Sequence, residues 1–267
     1  MSDRTALGDR MKAYEHATRS VLPRRAYTIL RVDGRAFHTF LRDARRPFDP
    51  AVMDAMNEVG RALCEEITGS VFAYVQSDEC SVLATDFATP SSQPWFGGVT
   101  QKIVSVAASI ATIAFDEAYA SRRAGGRRAM FDARVFTLAD PFEVANYFLW
   151  RQRDCVRNSV TMAAQAKFSR RELHGRSTAQ MQEMLWAGHG VNWNDYDPSA
   201  KRGRVVVRET AQREVSYRDG RTGKAQTTLA ERSWWEARAA PHFTTDPAGW
   251  LAAVIPVMPS LTAGRTS

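Results

Sequence analysis

The sequence predicts an α+β fold of the split βαβ type: an antiparallel sheet with helices packed on one face and additional C-terminal helices and strands. Three observations carry this reading. Strand-like and helix-like apolar patterns follow one another as β-α-β-β-α-β through the first half of the chain. Each helical pattern offers one apolar face, as needed to cover one side of a sheet. No apolar run approaches the length of a membrane span.

Each element has its own justification. "AYTILRV" (26–32) is β-rich and almost continuously apolar, the pattern of a buried central strand. Pro47 and Pro50 bracket a loop, after which Val52, Met56, Val59, Leu63 and Ile67 recur three and four residues apart and predict a helix, with Gly69 as its C-cap. "VFAYVQSDECSVLAT" (71–85) reads as two strands joined at a polar "QSDE" tip. "TPSSQPWFGG" (89–98) is loop, and Val99, Ile103, Val106, Ile110 and Ile113 mark a second amphipathic helix. "SRRAGGRRAM" (121–130) is a glycine-centred basic loop before a strand at "FDARVFTL" (131–138). Asp140 and Pro141 are the N-cap and first residue of a long helix running to about Lys167. A helix at 177–187, a strand at "GRVVVRETA" (203–211) and a turn-rich "YRDGRTGK" (217–224) follow, and beyond residue 225 the patterns weaken. The expected organisation is a core over 1–140 with an extension over 141–267 integrated into it.

The chain of 267 residues has a formal net charge of +7, with 36 basic residues that are mostly arginine. Arginine presents a planar fork suited to phosphate, so an anionic partner is expected. Cys64, Cys80 and Cys155 are too few and too scattered for a disulfide framework or a thiolate zinc site. The polar start "MSDRTALGDR" has no signal-peptide apolar region, and the expected location is cytoplasmic, with no membrane partner.

The stretch "LRVDGRAFHTF" (30–40) stops an apolar strand on Asp33 and turns on Gly34. Asp78 occupies the comparable place at the tip of the predicted hairpin. If the two strands are sheet neighbours, both carboxylates reach one rim, where they would hold Mg²⁺ with the Gly34 carbonyl as a further ligand. Two such ions about 3.5–4 Å apart clamp the attacking and leaving oxygens of a phosphoryl displacement. Spacing alone is also met by plain Asp-Gly and Ser-Asp turns with no metal. Phe37 and Phe40 fit packing as well as base stacking, and His38 fits a local hydrogen bond as well as catalysis.

Four motifs occur in order: "RVDGRAFHTF", "QSDECSVL", "FDARVF" and "WRQRDCVRNSV". Together they resemble the tRNA-His guanylyltransferase family over roughly residues 25–210, and within it the branch of guanylyltransferase-like 3′-to-5′ polymerases. The resemblance implies a sheet like the palm domain of polymerases and nucleotide cyclases. It implies an enzyme that activates the 5′-monophosphate of a tRNA with ATP and then joins to it the 3′-hydroxyl of an incoming nucleotide, usually GTP. Asp33 and Asp78 would be the catalytic acids and, with Gly34, the ligands of two Mg²⁺ ions. Asp33, Gly34, Arg35, Ala36, Phe37, His38, Arg46, Ser77, Asp78, Lys102 and Arg134 would contact nucleotide. A 5′-truncated tRNA and nucleoside triphosphates would be the partners, bound by a homotetramer. Arg157, Asn158, Arg170, Arg171, Lys201 and Arg202 are the expected RNA contacts, with further basic residues in the 121–130 loop.

Two positions depart from the family pattern. Val156 stands where the eukaryotic motif has histidine, which predicts weak discrimination for tRNA-His. Ala133 replaces the glycine of the F-D-G-R motif, which bears on the placement of Arg134. Two other classes share parts of this pattern: a palm-domain cyclase, which would use the same two acids, and a non-catalytic RNA-binding protein, which would share only the charge.

Overall fold

The computed structural model describes residues 5–122, 128–218, 220–221 and 223–259. Its elements run α1 (Ala6–Ala17), β1 (Tyr27–Gly34), α2 (Phe37–Phe40), α3 (Pro50–Glu66), β2 (Ser70–Gln76), β3 (Glu79–Thr85), α4 (Thr100–Ala118), β4 (Phe131–Leu138), α5 (Pro141–Gln165), α6 (Arg170–Leu173), α7 (Thr178–His189), α8 (Pro198–Arg202), β5 (Arg204–Arg218), β6 (Ala225–Ala239) and α9 (Trp250–Val254). The six strands form one antiparallel sheet in the order β4-β1-β3-β2-β5-β6. The first four elements of the sheet and the helices α3 and α4 reproduce the expected β-α-β-β-α-β unit. Among the described residues, no helix is long and apolar enough to cross a membrane.

β1 is buried on both sides because helices cover both sheet faces. Leu30 and Val32 join Cys80, Val82, Val75 and Val206 beneath α3 and α4. Tyr27 and Ile29 point the other way, into a second core with Phe72, Tyr74, Leu83 and Val205. That second face is covered by the C-terminal half, through Val144 and Phe148 of α5 and through Phe243, Leu251 and Ile255 of the tail. The far half of α5 packs on α6 and α7 in a smaller third cluster around Val160, Leu173 and Leu185.

Local chemistry sets the helix starts. The Asp49 carboxylate accepts from the Ala51 N–H, and the Asp140 carboxylate from the Phe142 N–H at 2.7 Å, each with proline in the first turn. Gly69 lies just past the end of α3 with φ +80°, and a Cβ there would meet the Thr85 carbonyl oxygen at 2.1 Å. Only glycine lets α3 return so tightly into β2.

The largest departure from the sequence reading is the hairpin of β5 and β6. Both strands are fifteen residues long, whereas the pattern places one strand at 203–211 and fades after 225. Only Arg204–Val207 pair with β2; outward of the Arg208–Trp235 pair the ribbon has solvent on both faces. A two-faced polar ribbon carries no apolar alternation, so periodicity is silent about it. Trp235 packs on the α3 side of the core, while Trp234 lies under the Arg213 guanidinium at 3.7 Å.

Candidate active site

The site is built at the end of the sheet where β1 stops and the β2–β3 hairpin turns. β1 and β3 are antiparallel neighbours with Asp33 opposite Glu79, which brings the Ser77–Asp78 turn beside the end of β1. The Gly34 N–H donates to the Asp78 carbonyl at 3.0 Å and ties the two segments together. The acids forty-five positions apart in sequence therefore share one rim, as the motif spacing anticipates.

Their electrostatics are those of a pair short of positive charge. Burial raises the Asp33 carboxyl above its ordinary range, and Glu79 and Asp132 add to the rise, against the pull of Arg31 and Arg134. Burial pushes Asp78 up to about 6; the charge of Asp33 contributes, opposed by the Asp78 N–H and the Ser77 hydroxyl. A divalent cation between them would remove that cost. Among the described residues no three His, Cys, Asp or Glu side chains converge on one point. An ion here would complete its shell with carbonyl, water and phosphate oxygens, which is the habit of Mg²⁺. The donor set fits.

The backbone around the pair is strained in two places. Ser77 has φ +45° and Ala36 φ +55°, both in the left-handed region that costs a non-glycine residue roughly 1–2 kcal/mol. Gly34 is held against Phe37: a Cβ at Gly34 would lie 2.4 Å from that ring. The Arg35 N–H donates to the Met130 carbonyl at 2.8 Å, so the turn Gly34–His38 is pinned between β4 and α2. Phe37 itself is 3 % exposed and packs edge-on against Phe115 and Phe131 at 5.2 and 5.0 Å. Its ring is a core residue, the packing alternative of the sequence reading; Arg35, Ala36 and His38 are exposed beside the acids.

Directly behind the pair lies a buried ionic network that the motifs contain but the sequence reading did not assign. Glu79 accepts from Arg151 Nε at 2.8 Å and Nη2 at 2.7 Å. Arg31 approaches Glu79 at 3.7 Å, and Arg151 also donates to Asp154 at 2.9 Å. Trp150 lies 4.4 Å from the Arg151 guanidinium. The only sequence signal is that Glu79 and Arg151 sit inside two of the four ordered motifs. On β4, Asp132 is opposite Asp33, and Arg134 donates to Asp132 at 3.2 Å, so Arg134 belongs to the site's edge with Ala133 in place.

Three basic residues are placed away from these acids. Lys102 lies in the first turn of α4 over the Phe96 ring, next to Ile103, which borders Thr28, Ala84 and Thr85. That is the opposite end of β1 from Asp33, a strand length or roughly 20 Å away. The reason is direction: β3 runs away from the hairpin tip, and α4 returns so that Phe115, not Lys102, reaches Phe37. Arg46 lines a separate cleft beside the N-terminal turn of α3 whose walls include neither Asp33 nor Asp78. Lys201 is 8 % exposed, donates to the Asn194 carbonyl and sits 5.4 Å from the Trp193 ring, so its ammonium is engaged within the fold.

The other expected RNA contacts lie along α5, α6 and α8. Arg157 and Asn158 donate to Asp154, and Arg157 is exposed. Arg170 and Arg171 are exposed on α6, whose start Ser169 and Glu172 cap reciprocally. Arg202 is partly exposed, and its carbonyl accepts from Tyr74 Oη at 2.8 Å. Of the basic loop 121–130, residues 123–127 lie outside the described residues.

A family model described as tRNAHis guanylyltransferase matches residues 8–139, and the Thg1 C terminal domain matches residues 142–242. A bacterial tRNA(His) guanylyltransferase (Thg1)-like protein, solved in complex with ATP, is 36% identical with a TM-score of 0.80, over 93% of this chain and 99% of that one. A GTP complex of a bacterial Thg1-like protein is 34% identical with a TM-score of 0.69, over 89% of this chain and 93% of that one. The tRNA(His) guanylyltransferase of Schizosaccharomyces pombe is 28% identical over 223 residues, 78% of this chain and 83% of that protein.

Proposed function

The chain belongs to the tRNAHis guanylyltransferase family and is a nucleotidyltransferase, and from that premise we propose that it extends the 5′ end of tRNA in the 3′-to-5′ direction, repairing 5′-truncated tRNAs against their own template strand. The observation that carries the reading is the convergence of Asp33 and Asp78 on one sheet rim, with both carboxyls raised by burial.

The chemistry has two displacements. A 5′-monophosphate oxygen of the RNA attacks the α-phosphorus of ATP, and pyrophosphate leaves. The 3′-hydroxyl of an incoming nucleotide, usually GTP, then attacks the activated 5′ phosphorus; a phosphodiester forms and AMP leaves. Two Mg²⁺ ions held by Asp33, Asp78 and the Gly34 carbonyl supply Lewis-acid polarisation of the phosphoryl oxygens when bound. The chain's own residues fix geometry. Gly34 lets the turn approach closely, and the Phe37 ring anchors that turn in the core so that Gly34–His38 stays rigid beside the acids. The Glu79–Arg151 pair holds the hairpin tip against α5. Arg134, Arg35 and His38 are the polar groups poised to meet phosphate charge as it develops.

RNA is assigned to the face bearing Arg157, Arg170 and Arg171, with a homotetramer presenting that face from more than one subunit. Val156 in place of the motif histidine implies little preference for the tRNA-His anticodon. The test is incubation with Mg²⁺, ATP, labelled GTP and a 5′-truncated, 5′-monophosphorylated tRNA, followed by sequencing of the 5′ end. Label added opposite the template base supports the reading; label only in a cyclic nucleotide, or none, overturns it.

A further inference from the structure

Helix α5 covers one face of the sheet, crosses the rim that carries Asp33 and runs on past it. Side-chain alternation gives the face. Tyr27 and Ile29 point into the core beneath α5, so Arg31 and Asp33 lie on that same face of β1. Beside them stand Glu79 on β3 and Asp132 and Arg134 on β4. Helix α5 follows directly on β4, which ends opposite Tyr27, and returns toward the rim. It touches Ser81 through the Tyr147 hydroxyl at 2.9 Å, then Glu79 through Arg151 at 2.7 Å. Beyond Arg151 it continues to Gln165 and packs on α6 and α7.

Trp150 sits where the helix meets the rim, and it is 54 % exposed. Its indole lies 4.4 Å from the Arg151 guanidinium and 5.9 Å from the Tyr147 ring. Tyr147 in turn meets Phe136 of β4 at 5.5 Å. The indole is therefore held on the β4 side of α5, the side on which Asp132 and Arg134 are exposed. Cation–π and ring contacts set its orientation while leaving about half of the side chain to water. Arg153 and Arg157 follow at spacings of three and four and are exposed on the same helical face. Asp154 between them is engaged by Arg151 and Arg157. Seven helical residues separate Trp150 from Arg157, a rise of about 10 Å or roughly three steps of a nucleic-acid strand.

We propose that Trp150 is a stacking platform for an unpaired base of the RNA's 3′ strand, the strand left single where the 5′ end is short, with Arg153 and Arg157 meeting that strand's phosphates. The inference rests on the 5′-end repair reading above. An unpaired base offers its ring face to an aromatic side chain whatever its identity, and indole is a sequence-tolerant partner for it. A ring followed along one face by two arginines matches a strand of regularly spaced phosphates; a protein surface has no such regular run of anions. Held this way, the template base beside the platform stays at the rim, where it can pair with an incoming nucleotide.

The experiment is an anisotropy titration of the full chain in EDTA with three labelled hairpin RNAs carrying a 5′-monophosphate. One has a short 3′ overhang, one the same overhang made of abasic residues, and one a blunt end. Wild type should bind the first roughly tenfold more tightly than the second. Trp150→Ala should bind both with the weaker affinity, and Trp150→Phe should keep most of the preference. Stacking releases no counterion, so the slope of log affinity against log salt should be equal in wild type and Trp150→Ala and shallower by about 0.7 in Arg153→Gln. The overhang-against-abasic comparison uses wild type alone, so the folding of a variant does not decide it. Equal wild-type affinity for those two RNAs, or no binding to any of the three, overturns the platform. So does a Trp150→Ala chain that keeps the preference. Blunt RNA bound as tightly as the overhang, and equally dependent on Trp150, overturns the choice of an unpaired base in favour of the terminal pair. Nucleotide addition by the same wild-type sample with Mg²⁺ reports separately on the repair reading.

Discussion

Glu79 and Arg151 meet in a two-pronged ion pair, 2.8 and 2.7 Å, at 7 and 6 % exposure, joining the residue after Asp78 to the middle of α5. Seventy-two positions separate them in sequence, yet this contact fixes how the hairpin tip is presented. Removing one partner leaves the other charge buried with a single remaining counter-charge, Arg31 for Glu79 or Asp154 for Arg151. Arg151→Met should therefore cost about 3–5 kcal/mol in urea unfolding, while the Glu79→Gln/Arg151→Met double variant should recover a good part of it. Equal loss in the single and double variants would show that the pair is not coupled.

The acids themselves should be needed for chemistry and not for folding. Asp33→Ala and Asp78→Ala should each lower nucleotide addition at least about 10²-fold, with circular dichroism and unfolding cooperativity retained. Full activity in both variants would remove the rim from the mechanism.

Asp78 also makes a pH prediction. Its pKa is raised from 3.8 to about 6, so the folded chain holds this proton more tightly than the unfolded chain does. Between about pH 4 and 6 the native state therefore binds more protons, and stability falls as pH rises through that window. Without divalent cation, Asp78→Asn should be more stable than wild type at pH 7, by up to about 3 kcal/mol, and the two should converge near pH 4. Added Mg²⁺ should raise the wild-type melting temperature at pH 7 and leave the variant unmoved. A wild-type chain indifferent to Mg²⁺ would contradict the ligand assignment.

Where the sequence was informative, one physical signal determined one position. β1 was legible because both its faces are buried, giving an almost continuously apolar run from Tyr27 to Val32, broken by Thr28 and Arg31. Asp140 announced a helix start through capping chemistry that acts within a few residues. The rim was legible because strand ends and hairpin tips are local features, and antiparallel pairing then forces Asp33 and Asp78 together. The position of Lys102 in the first turn of α4 was not legible, because a motif's order along the chain does not say which end of a helix faces the rim. The burial of Lys201 was not legible, because a Lys-Arg run looks the same whether its lysine is solvated or turned onto a carbonyl. Beyond Ala211 the β5–β6 ribbon left no trace, since neither of its faces is buried against the core.

Gly34 should resist even the smallest substitution. The Gly34→Ala methyl would lie 2.4–2.7 Å from three carbons of the Phe37 ring, which is itself locked among Phe40, Phe115 and Phe131. Overpacking of this kind costs about 1–3 kcal/mol, and the turn carrying Arg35 and His38 should shift with it. Loss of both melting temperature and activity is expected, and Phe37→Leu in the same chain should restore part of the stability. A Gly34→Ala protein that melts and reacts like wild type would mean that the ring yields freely.

The basic residues separate into structural and RNA-facing groups, and salt dependence distinguishes them. Lys201 has its ammonium on the Asn194 carbonyl and beside Trp193, so Lys201→Met should lower the melting temperature and leave the slope of log affinity against log salt unchanged. Arg170 and Arg171 are exposed at the start of α6 and make no ion pair among the described residues. Replacing both with Gln should leave melting unaltered. If each neutralises one phosphate, the slope for tRNA binding should become shallower by about 0.7–0.9 per residue removed. The contrast matters more than either value, because a variant that merely unfolds cannot change the salt slope of its folded fraction. A shallower slope in Lys201→Met with none in the arginine pair would reverse the assignment and move the RNA face from α6 to α8.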